Sequence, residues 1–181
     1  MAVIDQHVTW RKVEERLARE TDPILIRNLQ QLLVHMKAES ALDMERLMGT
    51  VSERAVYQNF AGGNNVVGKP AVRKFYEDFA ASGAQKLQFD IDRLVVDREC
   101  ILTEGVMRMA YPGRTLAGHG IIVDDPDADY LFETRMAILW PIDEDGLFIG
   151  EDSYTSGDGF AGIADRKLDP SDIIVYNPVA A

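Results

Sequence analysis

GGNNVVGKPAVRKFYEDF, residues 62–79, is the stretch on which the reading of the fold turns. Gly63 to Lys69 spells G-x-x-x-x-G-K, the opening of a phosphate-binding loop. Such a loop needs a Ser or Thr hydroxyl after its Lys to ligate Mg²⁺, and here Pro70 follows, with neither a hydroxyl nor a backbone N–H. As local structure the same residues agree with one another. Pro70 suits the first turn of a helix, Val72, Phe75, Tyr76 and Phe79 recur on one helical face, and Ser82-Gly83 closes it. The spacing predicts a helix over 70–82 behind a Gly-rich loop.

Upstream of the loop, Ala55 to Phe60 reads as a short strand. Before it the pattern is helical. Trp10, Val13 and Leu17 form a thin apolar stripe over residues 5–19. Asp22-Pro23 is a capping carboxylate followed by a helix-opening proline, after which Leu25, Leu29, Leu32 and Met36 recur every three or four residues. Leu42, Leu47 and Met48 suggest one more short helix. Downstream of Gly83 the period becomes two: Leu87, Phe89 and Ile91 alternate with polar residues, a strand runs from about Ile101 to the turn pair Pro112-Gly113, and residues 115–123 read as extended. Tyr130 to Trp140 alternates again, Asp143 to Gly146 is a hairpin turn, and Leu147 to Thr155 returns. Helices followed by a strand meander imply an α+β domain, with helices on one face of an antiparallel sheet. The organisation expected is a helical extension over residues 1–22, a domain over 23–157 and an irregular tail over 158–181, wrapping its own domain or a neighbouring subunit.

Composition narrows the function classes. The net charge is −11, from 30 acidic and 19 basic residues, and the basic residues are scattered; nucleic acid is not an expected partner. A negative molecule favours a neutral or cationic small ligand over an anionic one. No run approaches the roughly 18 apolar residues of a membrane span, and the N-terminus lacks a secretion pattern. The single Cys100 excludes an internal disulfide; a cytoplasmic protein is expected. Asp125-x-Asp127-x-Asp129 starts like a calcium loop, but Tyr130 and Met136 stand where that loop needs Gly and Glu. His7, His35 and His119 show no metal-ligand spacing, so no metal and no cofactor is expected. Neither a G-x-S-x-G elbow nor a G-x-G-x-x-G fingerprint occurs.

From Val34 to Phe79 the order is a helix ending in HMKAESALDMERLMGTVSE, a short strand AVYQNF, a Gly-rich loop and GKPAVRKFYEDF. This order resembles the NTF2-like superfamily, the group of SnoaL-like polyketide cyclases, ketosteroid isomerases and scytalone dehydratases. The YPGR turn and the terminal hairpin GLFIGEDSY fit the same layout, and the likeness covers about residues 25–157. The resemblance implies a cone in which a curved sheet wraps a long helix and leaves a deep pocket. It also implies a homodimer formed through an apolar outer sheet face. Counting back from Gly68, the isomerases' general-base carboxylate falls on Asn59 and their oxyanion tyrosine on His35. Their second oxyanion acid falls near Met136, on a strand face with no acid. Tyr57 matches a pocket tyrosine of the dehydratases, and His119 one of their histidines.

The catalytic candidates are therefore His35, as the group that moves a proton, with Tyr57 or Asn59 holding a carbonyl oxygen. Tyr57 and Asn59 share strand parity and face one side together. Substrate contacts are expected from Phe75, His119, Met136 and Trp140. Glu151 and Tyr154 lie on opposite faces of the last strand; periodicity leaves open which is inside, and both are candidates. Two functions compete. One is a cofactor-independent lyase, cyclase or isomerase acting on a small apolar carbonyl or hydroxyl compound. The other is a non-catalytic ligand-binding or assembly domain.

Overall fold

The computed structural model describes residues 2–60 and 62–178. In chain order the elements are β1 (Ile4–Asp5), α1 (Val8–Leu17), α2 (Pro23–Ser40), α3 (Met44–Met48), β2 (Val51–Asn59), β3 (Asn64–Val67), α4 (Lys69–Ser82), β4 (Leu87–Val96), β5 (Cys100–Pro112), α5 (Gly113–Gly118), β6 (Asp129–Pro141), β7 (Phe148–Ser156), β8 (Lys167–Leu168) and β9 (Ile173–Ile174). The local signals for the helices hold. Asp22 accepts a hydrogen bond from the Ile24 N–H and Pro23 starts α2. Gly68, at φ 84°, precedes α4, and Gly83, at φ 78°, ends it in the left-handed conformation that glycine adopts without a Cβ clash. Burying Leu29 and Leu32 completely along α2 stabilises the fold by about 1.5–3 kcal/mol each.

The main sheet has seven strands, in the order β3-β2-β7-β6-β5-β4, with β8 added to β6. It is mixed, which corrects the expectation of an antiparallel sheet: β2 pairs with β7 in parallel, Tyr57 opposite Glu151. Strand periodicity reports which face a residue takes but not the direction of its neighbour, so this pairing has no local signature. Residues 113–118 form α5 where an extended run was expected, because Leu116 buries completely against Tyr130 and Ile163, and that packing outweighs a Gly-rich segment's weak propensity. The segment after Gly157 carries β8, β9 and two 3₁₀ turns, and it packs on its own chain: β9 runs parallel to β1, with Ile4 opposite Ile173.

Curvature has a visible origin. The β4–β5 register shifts between Ile91 and Arg93, opposite Gly105. A Cβ on Gly105 would sit 2.1 Å from the Asp90 carbonyl oxygen, so only glycine lets the two backbones approach this closely. The bent sheet wraps α2. One core cluster, containing Trp10, Leu29, Leu32, Phe89, Trp140 and Phe148, fills the space between α1, α2 and the sheet. A second, containing Ala38, Leu47, Val51, Tyr57, Val72 and Tyr76, joins α3 and α4 to β2. The outer face of β4–β6, which the resemblance would make apolar, carries an ionic ladder: Arg93 and Arg135 both hold Glu104, at 2.7 and 2.5 Å, and Arg108 holds Glu133 at 2.6 Å. Among the described residues no helix is long and apolar enough to cross a membrane.

Candidate functional site

Between the C-terminal turn of α2, one face of α4 and the inner face of β5–β7 the cone leaves a cavity of about 660 Å³. Its walls are mostly apolar: Phe75 and Phe79 from α4, Met107 and Met109 from β5, Phe132 from β6, and Phe160 from the segment that follows β7. Two carboxyls enter this setting. Glu39 stands one helical turn beyond His35 on α2, so the stripe that buries Leu32 and His35 also aims Glu39 inward. Glu151 comes from β7, where strand parity changes. The register against β6 slips by one residue between Leu139 opposite Asp152 and Ile142 opposite Phe148. Phe148 therefore packs into the core while Glu151, three residues on, also faces inward.

Glu151 lies at the end of a buried chain of hydrogen bonds. The Thr50 hydroxyl donates to the Leu47 carbonyl at 2.6 Å, so at 2.7 Å from His35 Nδ1 it can only accept, and Nδ1 carries the proton. Complete burial holds the imidazole neutral, lowering its pKa to about 3. Nε2 is then an acceptor, and the Tyr76 hydroxyl 3.0 Å away donates to it. That hydroxyl also lies 2.9 Å from Glu151 Oε2. An ionised Glu151 accepts the Tyr76 proton in this contact, and a protonated Glu151 can instead donate to Tyr76 while Tyr76 donates to His35. Burial raises the Glu151 pKa, with a lowering contribution from Tyr76 and a further raising one from Asp152. The Glu39 pKa is raised by burial first and then by the Glu151 charge. The two carboxyls are raised as a pair, Glu39 to about 8 and Glu151 to about 7, and they share the last proton between them.

Of the residues chosen from sequence, Asn59, Phe75, Met136 and Glu151 line the cavity. Asn59 sits at the exposed rim, where its side-chain oxygen accepts the Gly62 N–H at 2.9 Å. His35 lies behind the wall, packed between the Trp140 and Phe148 rings and joined to the cavity only through Tyr76. Tyr57 is also behind it, edge-on to Tyr76 and Phe75, with its buried hydroxyl making no hydrogen bond of ordinary geometry. His35, Tyr57 and Asn59 thus do not converge on one hollow. Trp140 belongs to the core beneath, its Nε1 donating to Thr103 at 3.0 Å. Tyr154 takes the outer face, stacked on Phe60 at 4.3 Å. His119 backs the wall from outside, stacked on Phe160. Sequence reasoning passed over Glu39, Tyr76 and the 157–160 segment. The i, i+4 spacing of His35 and Glu39 was the available signal for the first of these. Among the described residues no three His, Cys, Asp or Glu side chains gather into a metal-binding group.

Comparison with known proteins agrees with this architecture. The family model described as a SnoaL-like domain matches residues 34–130. A protein described as a SnoaL-like polyketide cyclase from Shewanella denitrificans superposes with a TM-score of 0.61 at 12% identity, over 77% of this chain and 95% of that one. An LEH-like epoxide hydrolase of Mycobacterium tuberculosis gives 0.56 at 14% identity, over 78% and 92%. A Catenulispora acidiphila protein with a ketosteroid isomerase-like fold, solved with trimethylamine, gives 0.57 at 14% identity, over 88% and 100%. At these identities the likeness is one of fold. No curated protein matches the chain in sequence.

Proposed function

The chain belongs to the SnoaL-like domain family, and from that premise we propose that its cavity performs cofactor-independent proton transfer on a small, largely apolar carbonyl or hydroxyl compound. One observation carries the reading: two half-buried glutamates face an otherwise apolar cavity, and one of them ends a buried hydrogen-bonded chain through Tyr76 to His35. Glu39, whose carboxyl has no hydrogen-bond partner among the described residues, acts in its ionised form as the base. It takes a proton from the carbon beside a carbonyl, and the C–H pair becomes the new C=C bond. The displaced carbonyl pair moves onto oxygen, which takes the Glu151 proton. Where the substrate carries a β,γ double bond, the product of this step is a dienol, and returning the Glu39 proton to the γ carbon while Glu151 recovers its own completes an isomerisation to the α,β-unsaturated carbonyl. Tyr76 and His35 act as positioning residues. When Glu151 loses its proton, the Tyr76 hydroxyl must turn to the carboxylate, and His35 Nε2 is left without a donor, which pulls the proton back. The carboxyl pair in the cavity, rather than the cavity itself, supports the enzymatic reading over the binding domain, with Glu39 and Glu151 in place of His35 and of Tyr57 or Asn59.

Deuterium incorporation tests this. In D₂O the wild-type protein should catalyse α-exchange of 2-tetralone, followed by proton NMR, and Glu39→Gln should lose about 10²–10⁴-fold of that rate. Exchange no faster than with buffer, or unchanged in the variant, would remove the proposal. Homodimerisation is proposed from the family resemblance alone; a single monomeric species by sedimentation at micromolar concentration would refute it.

A further inference from the structure

Resting on the reading of the cavity as the ligand site, we infer that beside its carbonyl or hydroxyl substrate it takes a compact apolar ammonium ion, an alkyl- or arylamine bound in its protonated form, as a competing ligand. Every strongly ionisable side chain lining the cavity is acidic: Glu39, Glu151 and, at the mouth, Asp158. Among the described residues no Lys, Arg or His lines it. Glu39 is half-buried and lines the cavity, yet no hydrogen-bond donor reaches its carboxyl among the described residues. A buried carboxylate without a partner is expensive, and an ammonium group supplies the missing charge and donors. The surrounding rings, Phe75, Phe79, Tyr111, Phe132 and Phe160, present aromatic faces and edges to whatever sits there, and a cation is drawn to such faces. The three methionines Met107, Met109 and Met136 add polarizable, adaptable walls for the hydrocarbon part. At long range the net charge of −11 steers cations inward and repels carboxylate ligands.

The proton balance follows from the same groups. Facing the two carboxyls are the Tyr76 hydroxyl from α4, the Tyr57 hydroxyl from β2, neutral His35 from α2 and Asp152 beside Glu151 on β7. None of these supplies a positive charge. A bound cation therefore favours the ionised carboxyls and expels a proton to solvent. Its affinity rises with pH while the carboxyls titrate and falls once the free amine loses its own proton.

Three ligands on one bicyclic frame separate the possibilities: 2-aminotetralin, neutral 2-tetralol and tetralin-2-carboxylate, titrated calorimetrically into the full chain in two buffers of different ionisation enthalpy. The expected result is that the amine binds at least about tenfold more tightly than the alcohol at neutral pH. It should release close to one proton, and the carboxylate should not bind measurably. Glu39→Gln should abolish the preference for the amine while retaining the alcohol. Equal binding of amine and alcohol overturns the ammonium assignment and leaves the cavity reading standing. Binding of none of the three overturns both. A preference for the amine that survives in Glu39→Gln and in Glu151→Gln places the cation elsewhere and also overturns the assignment.

Discussion

Glu39 and His35 stand one turn apart on α2, and burial moves their ionisation in opposite directions, each time toward the neutral form. The consequences for stability have opposite signs. The folded Glu39 carboxyl holds its proton at pH values where the unfolded one has released it, so stability falls as pH rises above the ordinary carboxylate range. Glu39→Gln removes that pH dependence. It should match the wild type at about pH 5 and exceed it at about pH 8, by about 1.4 kcal/mol for each tenfold displacement of the ionisation equilibrium, in urea unfolding. A variant less stable at both values contradicts the buried placement. The folded His35 refuses a proton until about pH 3 while the unfolded imidazole accepts one near 6.5, so stability is lost as pH falls through that interval. His35→Leu deprives Tyr76 and Thr50 of a partner and should cost about 1–3 kcal/mol at neutral pH, with a shallower loss toward acid. At this scale the sequence named His35 but misjudged its position. A histidine on the apolar edge of a helix has the same pattern whether it faces a cavity or lies behind one. Glu39 escaped notice because a lone glutamate near a helix end ordinarily points to solvent.

Element by element, the boundaries with stereochemical markers were legible. Asp22-Pro23, Pro70 and Gly83 each mark a helix end through a backbone constraint that neighbours do not change. Features made by partners were not. The parallel contact of β2 with β7 depends on where the chain returns after the meander, and the parity slip that admits both Phe148 and Glu151 depends on a bulge against β6. Alternation alone puts positions 148 and 151 of a regular strand on opposite faces. The shift opposite Gly105 is the other such feature, and it bends the sheet that encloses the cavity. Gly105→Ala drives a methyl into the Asp90 carbonyl, which is backbone and cannot swing aside. The variant should lose more than about 3 kcal/mol in chemical denaturation, in the range where buried overpacking is felt most. A loss below about 0.5 kcal/mol would mean that the strands do not approach this closely.

At the scale of the whole molecule, the cone was recognisable because Val34 to Phe79 keeps its order of helix, strand, Gly-rich loop and helix. Its closure was not. Phe160 and Gly159 come from the segment after β7, expected to be irregular, and a Cβ on Gly159 would meet the Phe132 ring at 2.3 Å, so this wall fits only in the form it has. The same segment leads on to β9, which joins β1, so both ends of the described chain lie together beside β4 and β5. The result is a negative molecule with an apolar interior hollow whose two carboxyls titrate as a pair above the ordinary carboxylate range. Carbon-13 NMR of glutamate labelled at the side-chain carboxyl, titrated from about pH 4 to about pH 9 with Glu39→Gln and Glu151→Gln as assignments, measures that state directly. Two resonances should titrate well above the ordinary carboxylate range, and each should move down when the other residue is replaced. If both carboxyls ionise with the exposed glutamates, independently of each other, the paired acid and base at the centre of the proposed chemistry do not exist.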